Sequence, residues 1–516
     1  MSDCAATSPS QPPGAAAPDM AGKYDVLFRR IALLAILISF ALTIVAAWNR
    51  SPWSDEGWYA CPAYNLAHHG FLGMTVIDTA GTTLTRYDQH VYGLLPMYLL
   101  GEALWFKIFP ATLFCTRVFT IAWALLALLA FYAFLKKIAP DKGVPALATS
   151  LLALSFIFID NAGFARPDMM CFALGFGGLA VYVRKREKSL SRALFWSNTL
   201  IAASGLTHPN GVFHLAGLAL LVLWLDRRRI TVASAAAGLA PYLLFGAAWA
   251  AYILQDLQAF RAQMGTFSGQ DRWAGAFNPM GIVWNEIRGR YLPAFGFVTK
   301  GFALLKSFAL LAYLGAVAGV IGNARLRRRP EIRLLLAMLA LYFAFMSLFS
   351  QKLSFYLIHI TPIYIALLAA WIAWTWAERP RLRAILALGV LALVGVEAGG
   401  ILLKARTRSY MATQRPAVNF VLQHARPSDR IVGTAALLFE LGFDPRLRDD
   451  PSLGLTNGHP PDIVVMEKLY KLQYWEWSTE RPAEQQRIYD RLAQYRPAYQ
   501  NPDYEIYFAP GRQADR

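Results

Sequence analysis

Charge is what this sequence has least of. Asp, Glu, Lys and Arg make up 16% of its 516 residues, where soluble domains carry about 25%. With 56% hydrophobic and 14% aromatic residues, the chain cannot clothe itself in a solvated surface, which excludes an ordinary soluble globule. Cysteine is also scarce. Cys4, Cys61, Cys115 and Cys171 show no metal-ligand spacing, so neither a disulfide framework nor a zinc site is readable. A glycine-rich phosphate loop is missing, since Gly433 and Gly442 lack the pattern. Internal repeats and broken midplane helices, which a transporter would more often show, are not found. The formal charge of +17 invites nucleic acid as a partner. The basic residues fall in short runs between apolar segments, which excludes that reading.

What is present is a series of long hydrophobic runs. A hydrocarbon core takes roughly 20 apolar residues as a helix. On that scale about eleven spans are expected, near 31–48, 112–135, 144–160, 168–183, 194–207, 211–225, 232–254, 301–322, 333–349, 355–376 and 384–403. Lys136, Lys137 and Lys142, then the Arg184–Arg192 cluster, Arg227–Arg229, Arg325–Arg333 and Arg379–Arg383 all fall in alternate loops. The intervening loops are long (49–111 and 255–300) or nearly free of Lys and Arg. The positive-inside rule then puts the N-terminus in the cytoplasm and the C-terminus outside. Residues 1–22 read as a disordered cytoplasmic tail. Val45-Ala46-Ala47 resembles a cleavage site, but the long apolar run favours an uncleaved anchor. Beyond residue 404 the apolar runs shorten to strand length at 430–433, 462–466 and 504–508, with helix-like stretches at 416–424 and 482–495. The expected fold is mainly α: a polytopic transmembrane bundle over 23–403 and a small periplasmic α/β domain over 404–516.

The topology rule does not explain the charges on the outer side. Asp55 and Glu56 lie just past the first span, where adjacent carboxylates need a partner or a task. They read either as a general base with an orienting neighbour or as the start of a helix after Pro52. Arg166-Pro167-Asp168 follows the third span, with Asp160 and Asn161 upstream. It reads as an Arg–Asp pair beside Asp55 or as a plain helix start. Lys352 is the only cation in a very short outer loop. It suits a phosphate leaving group or a snorkelling anchor. Tyr356 and His359 are expected on the same helix face as Lys352. Arg86, Asp88 and His90 in the first outer loop are weaker candidates, as are Asp271, Arg272, Trp273, Glu286, Arg288 and Arg290 in the second. His208 reads most simply as part of a Pro-Gly turn. Scattered acidic and histidine residues could ligate a divalent metal, but no compact spacing supports one.

These constellations occur in order on one side of the membrane. Asp55-Glu56-Gly57-Trp58-Tyr59, Pro96-Met97-Tyr98, Trp105-Phe106-Lys107-Ile108-Phe109, Arg117, Arg166-Pro167-Asp168-Met169 and the stretch from Lys352 to Pro362 together resemble the bacterial relatives of dolichyl-phosphate-mannose protein mannosyltransferases. These are GT-C membrane glycosyltransferases, a group that includes the aminoarabinose transferase of lipid A and the rhizobial galacturonosyltransferases. The resemblance covers roughly residues 30 to 375. It departs at Gln89–Pro96, where many relatives carry a Lys-Pro before the Tyr, and His90 or Arg86 could replace that lysine. It departs again at Thr207–Gly211. The resemblance implies a polyprenyl-phosphate-linked monosaccharide donor and a hydroxyl acceptor on lipid A, another glycolipid, a polysaccharide or a protein. It also implies an inverting reaction, amphipathic helices over 92–109 lying in the interface, and a bacterial inner-membrane location. Asp55 and Glu56 would be catalytic. Lys352, Arg166, Asp168, Arg86, His90, Tyr356 and His359 would bind donor phosphate or sugar. The competing class is a transporter or flippase of a lipid-linked sugar. A third is a sensor whose C-terminal domain does the work.

Overall fold

A computed structural model describes residues 20–80, 82, 84–268 and 278–512. The tail up to residue 19, and with it Cys4, lies outside the described residues, as do Asp271, Arg272 and Trp273. Every run expected to span is helical. In chain order the first helices are α1 (Met20–Asn49), α2 (Ser54–His69), α3 (Pro96–Phe106), α4 (Leu113–Ile138), α5 (Val144–Ala153), α6 (Phe156–Ala162), α7 (Asp168–Lys185), α8 (Leu190–Thr207), α9 (Gly211–Leu225) and α10 (Val232–Ile253). Four later long helices cover Ser307–Gly322, Pro330–Leu348, Thr361–Glu378 and Arg383–Arg406.

Six helices among the described residues are long and apolar enough to cross a membrane, or seven if α5 and α6, bent by 60°, form one span. That is fewer than the eleven expected spans. The shortfall has a physical source. α7 begins with Asp168 and contains three glycines, and α8 carries Ser197, Asn198 and Ser204. These polar groups are sheltered inside the bundle rather than facing lipid: the Ser197 hydroxyl donates to the Gly178 carbonyl at 2.7 Å and the Ser204 hydroxyl to that of Cys171 at 2.8 Å. α9 has only 15 residues. The bend between α5 and α6 falls at Ser155, whose hydroxyl accepts from the Phe158 N–H and opens the second helix.

The bundle core packs α4 on α7 and α7 on α8. Phe131 and Phe134 of α4 meet Phe176 of α7 edge to face, the favoured geometry for aromatic pairs. The Thr361–Glu378 helix is buried on almost every side from Thr361 to Ala370, as a central helix is. α3 lies in the first long loop, where an interfacial helix was expected. It buries Glu102 and Phe106 and exposes Leu100 and Leu104, so one apolar face stays available to lipid.

The C-terminal region forms a five-stranded sheet of order β2-β1-β3-β5-β4. Its strands are β1 (Ile431–Val432), β2 (Leu447–Arg448), β3 (Ile463–Glu467), β4 (Arg496–Gln500) and β5 (Tyr504–Phe508). β1 pairs in parallel with β2 and β3, while β5 runs antiparallel to β3 and β4. The sheet does not stand apart from the bundle. Met74, Val76 and Tyr87 of the first long loop share one buried cluster with Ile431, Ile463, Ile506 and Phe508. The Asp449 N–H also donates to the Val76 carbonyl at 2.7 Å. Helix Lys468–Glu480 holds the aromatic group of Tyr474, Trp475 and Trp477. Tyr474 belongs to the core, with its hydroxyl on the Pro451 carbonyl at 2.7 Å, while Trp475 is exposed.

Candidate functional site

The pentapeptide Asp55–Tyr59 opens α2, and each of its side chains has a separate task. Glu56 is fully buried. Its two carboxylate oxygens receive the Arg117 Nε and Nη2 groups of α4, each at 2.8 Å. The same carboxylate accepts from the Trp53 N–H at 2.9 Å and the Ala165 N–H at 2.8 Å. Arg117 is equally buried and also donates to the carbonyls of Ala47, Arg50 and Ser51, the unpaired carbonyls that follow a helix end. A bidentate pair with every remaining donor satisfied is the geometry that repays the desolvation of two buried charges. Glu56 therefore fixes the junction of α1, α2 and α4. Its four hydrogen bonds engage both oxygens of the carboxylate.

Gly57 and Trp58 dock the sheet domain. A Cβ on Gly57 would lie 2.1 Å from the Ala435 carbonyl oxygen, so only glycine permits that backbone approach. The Trp58 indole N–H donates to Asp449 at 2.9 Å. Tyr59 stacks edge-on against Tyr98 of α3 with ring centroids 5.4 Å apart.

Asp55 faces the other way. It forms an ion pair with Arg166, which also reaches Asp168 at 3.1 Å. The Asp55 side chain keeps 23% of its surface exposed, against 1% for Asp168 and 8% for Arg166. Two carboxylates around one guanidinium leave a formal charge of −1, with Asp55 as the accessible end. The Arg166 guanidinium rests over the Phe355 ring at 4.0 Å, a cation–π contact that adds to its two carboxylate partners.

Phe355 and Tyr356 bridge to a second charged triad. Glu286 pairs with Arg290 at 3.1 Å and with Lys352 at 2.8 Å. Lys352 donates also to the Ser347 carbonyl at 3.0 Å. Arg290 lies 6.0 Å from the Tyr356 ring and donates to the Gln351 carbonyl at 3.1 Å. Two cations around one carboxylate leave a formal charge of +1. Burial pushes the Glu286 carboxyl up, with Arg290 and Lys352 opposing. Burial pulls the Lys352 ammonium and the Arg290 guanidinium down. Lys352 is thus a paired cation with 13% of its side chain exposed, not an isolated one.

The remaining candidates fall elsewhere. Lys352 precedes a 3₁₀ turn, Ser354–His359, and does not share a helix face with His359. His359 turns inward, fully buried, with Nδ1 3.3 Å from His214 Nε2. Tyr356 stays with the site and packs against His208 at 5.3 Å between ring centroids. His208 is held in its turn, accepting the Asn210 N–H at 3.2 Å. Arg86 pairs with Asp256 at 2.7 Å, and His90 stacks on Tyr92 and meets Tyr252 edge-on. Neither has an ion pair or side-chain hydrogen bond to Asp55, Arg166 or Lys352 among the described residues. Asp160 is taken by Arg50 and Lys404, each at 2.9 Å, and Arg288 is exposed. Sequence reasoning underrated Glu286 and Arg290. Their spacing of four residues in a helical segment was the available signal.

Comparison with solved structures settles what arrangement of helices this is. ArnT from Cupriavidus metallidurans bound to undecaprenyl phosphate superposes with a TM-score of 0.58 at 15% identity, over 94% of this chain and 98% of that one. The Archaeoglobus fulgidus oligosaccharyltransferase superposes with a TM-score of 0.53 at 12% identity, over 94% of this chain and 74% of that one. This chain has the GT-C fold. It is a multi-pass membrane protein with a small sheet domain at its C-terminal end. No protein-family model and no curated protein matches the sequence.

Proposed function

We propose that this chain is a GT-C glycosyltransferase that moves a sugar from a polyprenyl-phosphate-linked monosaccharide to an acceptor hydroxyl. The acceptor is a glycolipid such as lipid A, a polysaccharide or a protein. The reaction occurs on the periplasmic face of a bacterial inner membrane, the N-terminus being cytoplasmic. One observation carries the reading: an accessible carboxylate, Asp55, in a triad of charge −1 stands across Phe355 and Tyr356 from a triad of charge +1. The neighbouring structures support it, since one holds undecaprenyl phosphate and an Archaeoglobus fulgidus oligosaccharyltransferase holds a dolichol-phosphate and an inhibitory peptide.

The chemistry follows from the two charges. Asp55 takes the proton from the acceptor hydroxyl as its oxygen bonds to the anomeric carbon. The bond from that carbon to the phosphate oxygen breaks, and the lipid phosphate leaves with the electron pair. Lys352 and Arg290 favour the leaving phosphate. A single displacement inverts the anomeric configuration. Arg166 and Glu56 act as positioning residues, one holding Asp55 and the other the helix start that carries it. Opposed triads let base and leaving-group cation coexist without neutralising each other. The sheet domain, docked on α2 through Gly57 and Trp58, admits the acceptor.

The test is mass spectrometry of surface glycolipids and glycoproteins from cells with and without the gene, followed by transfer in vitro from a purified polyprenyl-phosphate sugar. A glycoform that disappears with the gene and reappears with wild-type protein supports the reading. Identical glycan profiles, together with no donor turnover by pure protein, overturn it.

A further inference from the structure

Three residues far apart in sequence meet inside the bundle. Cys171 of α7, His214 of α9 and His359 of the Ser354–His359 turn each offer a ligand atom, and these atoms lie within 4.8 Å of one another. All three side chains are fully buried. His359 Nδ1 and His214 Nε2 are 3.3 Å apart. Two imidazoles on a tetrahedral zinc, with bonds of ~2.0–2.1 Å, place their nitrogens about 3.3–3.4 Å apart. Beyond this mutual contact the pair is short of partners: His214 Nδ1 and His359 Nε2 have none among the described residues. In the tautomers that ligate, these far nitrogens carry the ring protons, while the facing pair, Nδ1 of His359 and Nε2 of His214, offers its lone pairs to the gap between the rings. The pocket is shaped for the ring. A Cβ on Gly175, one turn beyond Cys171, would lie 2.0 Å from the His214 imidazole.

We propose that Cys171, His214 and His359 bind one zinc ion. A thiolate with two imidazoles is a borderline-soft donor set that suits zinc. Binding forms one Zn–S and two Zn–N bonds, and the thiol proton leaves to solvent. The occupied site carries a charge of +1. Asp168 stands one helical turn before Cys171 and keeps a buried carboxylate oxygen, Oδ1, without a partner among the described residues. The ion ties α7 and α9 to the turn that carries Tyr356, and so fixes the gap between the two charged triads. It touches none of the reacting atoms, so its role is to position them.

The experiment reads metal, not transfer. Full-length protein is purified without chelator, and its metal content is measured before and after equilibration with zinc chloride. About one zinc per chain is expected. Cys171→Ser and His214→Asn should lower it by on the order of tenfold. Replacing zinc by cobalt should give a thiolate-to-cobalt charge-transfer band. That band should persist in a variant with Cys4, Cys61 and Cys115 all changed to Ser, which keeps the question open to measurement even if Cys171→Ser does not fold. Wild-type protein that takes up less than about a tenth of an equivalent overturns the proposal. So does copper in place of zinc, a zinc content unchanged by Cys171→Ser, or a cobalt band lost in the triple variant.

Discussion

Asp55 and Glu56 are neighbours in the chain and live in opposite surroundings. Each is paired with an arginine distant in the chain, Arg117 of α4 for Glu56 and Arg166 of the connection between α6 and α7 for Asp55. Glu56 meets Arg117 with no exposed surface on either side chain and spends both oxygens on four donors. Asp55 meets Arg166 with nearly a quarter of its side chain open. The difference separates a carboxylate that holds helices together from one that can take a proton. Pairing with an arginine is common to both, so pairing alone does not mark a catalytic group. The proposed role of Asp55 rests instead on its accessible edge.

That contrast is broken most directly at Asp55. Asp55→Asn keeps the shape and an acceptor for Arg166 but removes the basicity. Transfer should fall about 100- to 10,000-fold, with the thermal unfolding of the purified protein unchanged. Near-normal transfer by well-folded Asp55→Asn protein would sink the assignment. Arg117 should give the reverse pattern. Arg117→Met strands the Glu56 carboxylate in the bundle, and removing one partner of a buried pair costs about 3–5 kcal/mol. Activity should then track the folded fraction. Adding Glu56→Leu to the same chain should recover part of that stability, because the uncompensated charge is gone while the Trp53 and Ala165 N–H groups lose their acceptor. If Arg117→Met unfolds no more easily than wild type, Glu56 is not the lock described here.

Lys352 sits between these extremes, paired yet 13% exposed. Lys352→Ala takes the second triad from a charge of +1 to 0. Donor binding should weaken about tenfold, or ~1.4 kcal/mol, with a smaller change in acceptor affinity. Lys352→Arg should restore most of it. Equal donor affinity in Lys352→Ala, measured by titration with a polyprenyl phosphate, would remove Lys352 from the phosphate site.

How far these surroundings were legible in the sequence depends on distance along the chain. The runs that became helices were plain, because membrane length and loop charge constrain each locally. Asp55, Arg166 and Lys352 were singled out from side and order. What stayed hidden was who pairs with whom. Glu56 and Arg117 are 61 residues apart, and Lys352 and Glu286 are 66 apart. Nothing in either stretch reveals its partner. Gly57 looked like part of a catalytic motif and proved to be the place where the Ala435 backbone rests. Strands β2 and β4 were missed for a different reason. β2 has two residues, and β4, Arg496–Gln500, is mostly polar and bulged at Pro497, so neither shows a period-two apolar pattern.

A third kind of carboxylate sharpens the comparison. Glu467, at the end of β3, is buried and has no ion pair among the described residues. Its carboxyl contacts the Thr434 hydroxyl. Burial pushes its pKa up to about 7, with the bonds from Thr434 and Tyr504 opposing and the nearby Asp449 adding to the rise. The sign follows from linkage. A carboxyl whose folded pKa lies above its unfolded one takes up a proton on folding, so its contribution is present at low pH and is lost as pH rises through the folded value. The window opens above the ordinary glutamate range and closes near pH 7, and the sheet domain should lose about 1 kcal/mol between pH 6 and pH 7. Protection of the β3 amides in the full chain, hydrogen exchange taken relative to its intrinsic rate at each pH, should fall accordingly. Glu467→Gln should flatten that profile, because a neutral amide carries no titration. A β3 profile that is flat in wild type, or that slopes the other way, would mean Glu467 is ionised in the folded chain and draws on a cation not yet identified.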